Sequence, residues 1–483
     1  MITSRATADL RALSDVLASV ALDSSNPNDA LALLRLYARL HWDNISGHFS
    51  NEELEASIYA KWRRYLPETS QVAFPEIDFL HIATQTYEQG GHSRLLKRLG
   101  QGLSKYGSQA MLLTDARKRN HVPDFPGPVM RLRDRPAECA AAIIAASRNA
   151  GTIFLHIHPD DSPAAFAARA LRAEGKRIMF VNHADHVFSL GPGASDVVLE
   201  ICMTGWKTTR NRRAARAQSF MGIPIVDENV PVQEHSPPRD GPIVSIGGPG
   251  KFCPTDGLSF PDFLMNVMSQ VSNDVILIGP SSKEPWWKNV TDAYPGRIHL
   301  RGLLPAGEVD EILRSASCYV DSFPLDGGTA YPQALAMGVP CFGPNADNAP
   351  GVSPTDELRF GTVQALQTSL VSYLKGGAYP FDIKAIQSKI KQDFSNAAVI
   401  DRVMAAVNGD IVSPPDELMT VGKRDSDYNA RRWAEQNKVS LPKRIWRDLS
   451  PTARLRLHRA IRQSRMPTAM SQAIVRELVT RWL

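Results

Sequence analysis

Several things are scarce in this 483-residue sequence. The five cysteines (Cys139, Cys202, Cys253, Cys318, Cys341) are scattered, odd in number and form no CxxC pair. That argues against a disulfide framework or a cysteine-based zinc site and points to a reducing compartment. Long apolar runs are also missing, and none approaches the ~20 residues that span a bilayer. Asp9 and Asp15 interrupt the apolar positions near the N-terminus, unlike a signal peptide, so the expected setting is cytoplasmic. What is present, 43% hydrophobic and 22% charged residues, is the balance of an ordinary globular protein. At this length, two or three domains are expected rather than one core.

The net charge of +5 is unevenly spread: Val421–Leu483 holds 15 Lys/Arg against 5 Asp/Glu. Such a basic C-terminal segment suits an anionic membrane face, an acidic partner, or an acidic surface of the chain's own body. Nucleic acid is not an expected partner.

Residues 1–75 read as a helical N-terminal extension, with ALALLRLYARLHW (Ala30–Trp42) and NEELEASIYAKWRRYL (Asn51–Leu66) at helical spacing. From Glu76 the pattern changes to strands alternating with helices. IDFLHIAT, SQAMLLTD, TIFLHIHPDD, KRIMFVN and ASDVVLEICMT are strands, which argues for a parallel sheet covered on both faces over 76–235. The proline-rich stretch Ser219–Pro242 reads as a linker. The alternation then restarts over 236–410 with PIVSIGG, NDVILIG, RIHLRGLLP, SCYVDSFP and VPCFGPNA. A basic helical extension, 411–483, completes the chain. The expectation is α/β: two Rossmann-like domains facing across a cleft, with ligands held beyond the carboxyl ends of the strands.

Within VDSFPLDGGTAYPQALAMGVPCFG (Val320–Gly343), a loop of Asp326, Gly327, Gly328, Thr329 and Ala330 separates a strand from a short helix. Two glycines let main-chain N–H groups approach an anion, Thr329 adds a hydroxyl, and Gln333 lies one turn on toward ribose hydroxyls. A plain strand–turn–helix connection would look the same. The stretch resembles the corresponding segment of the O-GlcNAc transferase-like group of GT-B glycosyltransferases, D-T-F-P-x-N-G-G/H-T-T-x-x-D/E-A-L-W-M-G-V-P. Asp321, Phe323, Pro324, Gly327, Gly328, Thr329, Ala334, Leu335, Met337, Gly338, Val339 and Pro340 match. The resemblance implies a nucleotide-sugar donor, UDP-linked first, whose diphosphate sits on the Gly-Gly-Thr turn. Ala330 replaces the second threonine, Gln333 replaces the ribose-binding acid, and Leu325 and Gln333 stand where retaining relatives carry a glutamate pair. The resemblance also places Lys251, in SIGGPGKFCP, at the diphosphate and the backbone of Gly302 and Leu303 at the nucleobase. No cofactor or metal is implied beyond the donor itself.

In the first half, histidines follow strands. His92 begins a helix after QGG; His156, His158, Asp160 and Asp161 lie in LHIHPDD; His183, Asp185 and His186 lie in VNHADHVF. A carboxylate can orient an imidazole as a general base for an acceptor hydroxyl. His186, with Asp185, is the favoured base, ahead of His92 and His158. HxHxD also suits a metal-dependent hydrolase, although Asp161 stands where a further histidine is usual. A non-catalytic nucleotide- or partner-binding subunit and a sugar epimerase of the same fold complete the alternatives. The leading expectation is transfer of a sugar to a protein or glycan acceptor.

Overall fold

A computed structural model describes residues 5–87, 91–115, 125–132, 135–226, 238–255, 257–344, 358–416, 418, 430, 433–434, 438–441 and 448–464. The chain forms two compact units. One draws on Met1–Met221, Arg402–Ser413 and Asp425–Leu483, the other on Gly222–Asp401 and Pro414–Arg424.

The first unit opens with α1 (Arg5–Leu22), α2 (Pro27–Asn44) and α3 (Glu52–Trp62). Asn26 caps α2 by accepting the Asp29 N–H at 2.9 Å, and Asn51 caps α3 through Leu54 at 3.1 Å. The alternation follows as β1 (Ile77–Ala83), α4 (Gly91–Leu103), β2 (Gln109–Leu113), β3 (Val129–Arg131), α5 (Pro136–Ala146), β4 (Ala150–His156), α6 (Ser162–Ala173), β5 (Arg177–Asn182), β6 (Val197–Glu200), α7 (Met203–Arg212) and β7 (Gln218–Phe220). The sheet is parallel, in the order β3-β2-β1-β4-β5-β6-β7. The strands read as strands because Val, Ile, Leu and Phe run almost unbroken through them, as burial on both faces requires. The short edge strands β3 and β7 carry too few apolar residues for the sequence to reveal them.

The expected terminal extensions are not separate bodies. Leu13 and Leu17 of α1 and Leu31 and Leu34 of α2 share one core with Leu80, Ile143 and Phe166. Arg169 of α6 grips the Glu52 carboxylate through two bonds, of 2.8 and 2.7 Å. The basic helix at Pro451–Gln463 buries Ala453, Leu457 and Ile461, and its cap Ser450 donates to Asp29 at 2.7 Å. Its arginines therefore lie on a docked helix. Residues 402–413 also return to this unit, where the Phe220 N–H donates to Val412 at 2.8 Å. The break between units falls at 221/222 rather than 235/236. Residues 227–237 of the expected linker lie outside the described residues.

The second unit runs β8 (Ile243–Ile246), α8 (Phe260–Met268), β9 (Val275–Ile278), α9 (Lys288–Ala293), β10 (Ile298–Gly302), α10 (Ala306–Ser315), β11 (Cys318–Val320), α11 (Ala330–Ala336), β12 (Cys341–Phe342), α12 (Val363–Leu374), α13 (Ile383–Phe394) and the start of α14 (Asn396–Asn408), whose residues from Arg402 onward belong to the first unit. Its parallel sheet has the order β10-β9-β8-β11-β12 around a core of Phe252, Phe260, Trp287, Phe323 and Phe342. Among the described residues, no helix is long and apolar enough to cross a membrane.

Candidate functional site

In an open parallel sheet, the chain leaves a crevice where strand order reverses, beyond the carboxyl ends of the two strands flanking the reversal. In the second sheet that point lies between β8 and β11, and in the first between β1 and β4. Residues following those four strands are the ones that topology gathers.

At the β8/β11 reversal, the turn after β8 carries Lys251 and the loop after β11 carries residues 321–329. Lys251 Nζ donates to the Asp326 carbonyl at 2.6 Å, so the two sequence-distant segments meet as expected. The turn lies close over β9: a side chain at Gly279 (φ +108°) would place Cβ 2.0 Å from the Gly247 carbonyl oxygen. A hub assigned no role from sequence shapes the loop. The Asp321 carboxylate is fully buried; its Oδ1 accepts the Ser322 N–H (3.0 Å), the Gly327 N–H (3.0 Å) and the Tyr319 hydroxyl (3.2 Å). Its Oδ2 accepts Arg359 at 2.8 Å, and that guanidinium lies 4.5 Å over the Tyr331 ring. The charge pair is buried yet supplied with further hydrogen bonds, the condition under which burial is tolerable.

This hub revises the expected part of Gly327. Its N–H is committed to Asp321, and a Cβ there would lie 2.4 Å from Asp321 Oδ1, so glycine serves close packing. The Ala330 N–H is likewise engaged, donating to Gly327 at 2.9 Å. Gly328 differs: it has φ +41°, and among the described residues nothing lies within 4 Å of a Cβ built there. Thr329 precedes α11 and makes no capping bond with its hydroxyl. At seven residues α11 is a weak dipole. Gln333 donates from Nε2 to Asp310 Oδ1 of α10 at 3.2 Å, which places an acid beside it that sequence reasoning missed. Gly302 (φ +62°) donates its N–H to Pro280 at 2.8 Å and accepts from Gly279 at 2.6 Å. Its main-chain donor is thus taken up by the strand edge rather than offered to a base, whereas Leu303 stands 74% exposed.

At the β1/β4 reversal, Thr84, His158, Asp160, Asp161 and His92 come together. His158 Nδ1 pairs with Asp160 Oδ1, and the Trp42 ring of α2 packs edge-on against His158 at 4.7 Å. Arg35 and Arg39 of α2 approach the other Asp160 oxygen at 3.5 and 4.0 Å. Burial would raise the Asp160 carboxyl, but the His158 hydrogen bond and the charges of His158, Arg35 and Arg39 outweigh it and hold it far below its ordinary value. Asp161 is structural: it accepts from Thr84 and Thr114 and caps α6 through Ala164 at 3.1 Å.

His156 belongs to the core. Gln109 donates Nε2 to Gly100 at 2.6 Å, which turns its oxygen toward His81 Nε2 at 2.9 Å. His81 must then accept from His156 Nε2 at 3.0 Å through Nδ1. Burial depresses His81 to about 4 and drives His156 well below its usual value, so both stay neutral. His92 donates Nε2 to the His156 carbonyl at 2.9 Å, its ring lies 4.2 Å from that of His183, and burial lowers it to about 4. His186 is 46% exposed beside Asp185 (3.1 Å), whose other oxygen accepts the Cys202 thiol at 3.2 Å. Behind this pair the Glu200 carboxyl, bonded to Asn182 at 2.8 Å, is raised by burial to about 7.

The would-be metal ligands of HxHxD thus serve three different ends. Among the described residues, no group of three or more His, Cys, Asp or Glu side chains is placed to hold a metal ion. Trp42, Arg35 and Arg39 escaped sequence reasoning, which assigned them to a helical N-terminal extension; nothing in their spacing points to β4.

No protein-family model and no curated protein matches the chain. Solved structures do. A sucrose-phosphate synthase from Thermosynechococcus elongatus is similar over 68% of this chain and 98% of its own, at 14% identity and a TM-score of 0.52. A glycosyltransferase from Rickettsia africae is similar over 68% and 98%, at 10% identity and a TM-score of 0.51. An O-GlcNAc transferase of Thermobaculum terrenum overlaps more loosely, at 14% identity and a TM-score of 0.43, and adds no weight. The two parallel sheets with their flanking helices are the α/β architecture of the GT-B glycosyltransferases.

Proposed function

We propose that the chain is a glycosyltransferase that moves a sugar from a nucleotide-linked donor, UDP-linked first, to a protein or glycan acceptor without a bound metal. The observation that carries this reading is the meeting of Lys251 with the Asp326–Thr329 loop at the β8/β11 reversal. An ammonium has three protons and the Asp326 carbonyl takes one, so Lys251 retains donors for a departing diphosphate. Gly328 and Thr329 supply the N–H and hydroxyl, and Gln333 with Asp310 the polar edge for ribose. On the acceptor side the reading departs from His186. His158 stands at the β1/β4 reversal with a buried carboxylate on Nδ1, the arrangement in which Nε2 takes a proton while the acid steadies the imidazolium. His186, paired with Asp185, is the second candidate. A cytoplasmic setting accords with the five free thiols.

Thermal-shift measurements against UDP, GDP, TDP and CMP sugars identify the donor, since ligand binding raises apparent stability. Lys251→Ala combined with Thr329→Ala should then weaken nucleotide binding at least ~10-fold, about 1.4 kcal/mol. Unchanged affinity would refute the donor site. Binding without turnover on any acceptor would favour the non-catalytic reading, which the internal engagement of Gly327 and Gln333 keeps in view.

A further inference from the structure

The first unit has a second concavity, far from both histidine pairs. A groove of about 700 Å³ lies between α3, the 63–71 segment, the carboxyl-terminal half of α5, and α6 from Phe166 to its end. Helices that alternate with parallel strands run antiparallel to them, so the ends of α5 and α6 stand at the opposite edge of the sheet from His158 and His186. A ligand there cannot be the reacting group.

Three guanidinium groups line the groove: Arg63, Arg64 and Arg148, all exposed. Arg63 lies 6.0 Å over the Tyr59 ring. No carboxylate among the described residues comes within salt-bridge distance of any of the three. This contrasts with Arg35, Arg39, Arg135 and Arg169 of the same unit, each of which has one. The floor is Tyr59 packed edge-on against Phe166 at 5.2 Å. Leu66 and Ile144, both half-buried, line it beside these rings. Glu68 and Glu174 also line the groove, leaving it a net +1. A uniform polyanion would meet both glutamates and is disfavoured. The groove is open rather than enclosed, unlike pockets that swallow small molecules.

We propose that this groove docks an acidic, amphipathic peptide segment of a partner protein. Its carboxylates pair with Arg63, Arg64 and Arg148, and its apolar side chains rest on Tyr59, Leu66 and Ile144. Arginine forks suit carboxylates, and aromatic anchors supply the apolar contact. The inference stands on the groove alone and does not depend on the glycosyltransferase reading.

The test is fluorescence anisotropy of the full chain with a fluorescein-labelled dodecapeptide of alternating glutamate and leucine, beside its lysine–leucine counterpart. Saturable binding of the acidic peptide alone is expected, weakening several-fold from 50 to 300 mM salt. Arg63→Glu with Arg148→Glu should weaken it at least tenfold, and so should the neutral triple variant Arg63→Gln, Arg64→Gln, Arg148→Gln. Arg210→Glu, an exposed change on α7, should leave it intact. Urea midpoints confirm that the variants fold. Equal binding by variants and wild type, or no saturable binding, overturns the proposal. So does binding of phosphatidylserine vesicles that the same substitutions abolish while the peptide stays unbound, which would make the groove a membrane contact.

Discussion

Asp321→Asn is a nearly isosteric change that should be among the most damaging in the second unit. All four partners of the carboxylate are donors: two main-chain N–H groups, the Tyr319 hydroxyl and the Arg359 guanidinium. An amide must turn its own NH₂ toward one of them, so one donor faces another in a site where Asp321 is 0% and Arg359 3% exposed. Arg359 also loses the carboxylate that its guanidinium meets at 2.8 Å. Removing one member of a buried pair costs ~3–5 kcal/mol. For a unit of this size each kcal/mol lowers Tm by ~2–4 °C, so the fall should be roughly 6–20 °C. The Gly327 loop should lose its anchor at the same time, and nucleotide affinity with it. Calorimetry or urea unfolding of the single variant and of Asp321→Asn/Arg359→Met measures this. With the guanidinium gone, the amide NH₂ no longer meets a buried cation, so the double variant should be at least ~1 kcal/mol more stable than the single one. A single-variant loss under ~1 kcal/mol, or plain additivity in the double, would refute the reasoning.

Other outcomes follow from the same contacts. Gly279→Ala should cost more than ~2 kcal/mol, because the new Cβ meets a main-chain oxygen at 2.0 Å and φ is +108°; a denaturation midpoint equal to wild type would contradict it. Glu200 is raised by burial to about 7 from 4.5, so the folded chain holds a proton that the unfolded chain releases. Stability contributed by this group therefore falls as pH rises from 4.5 to 7, by roughly 3 kcal/mol, and Glu200→Gln should remove the fall. Comparing wild type and variant at pH 5 and pH 8 isolates it from His81 and His92. Those two are lowered to about 4 and so destabilise the fold as pH drops from 6.5 toward 4. Once a donor and an acceptor are in hand, His158→Ala should lower turnover at least ~100-fold while leaving nucleotide affinity unchanged. If His186→Ala does so instead, the second pair is the base.

The fold was largely legible because each central strand is a short, nearly unbroken apolar run set between helical repeats, and burial on both faces permits little else. Such runs located β1, β4, β8 and β11, and with them the residues that follow their ends. Lys251 and the Gly-Gly-Thr loop were likewise marked by their place after strands. The sequence could not reveal which main-chain donors those loops spend on themselves. Gly327 looks like Gly328 in one dimension, yet the N–H of one is spent on Asp321, while a Cβ on the other would meet no described atom within 4 Å. Nor could it show that α2, more than a hundred residues before β4, delivers Arg35, Arg39 and Trp42 to the His158–Asp160 pair. Periodicity reports which face of an element is buried, since that follows from local repeat and hydrophobicity. Which partner meets that face, and which of the five strand-end histidines are buried in the core rather than paired with a carboxylate, depends on packing between distant segments, and only the folded chain decides it.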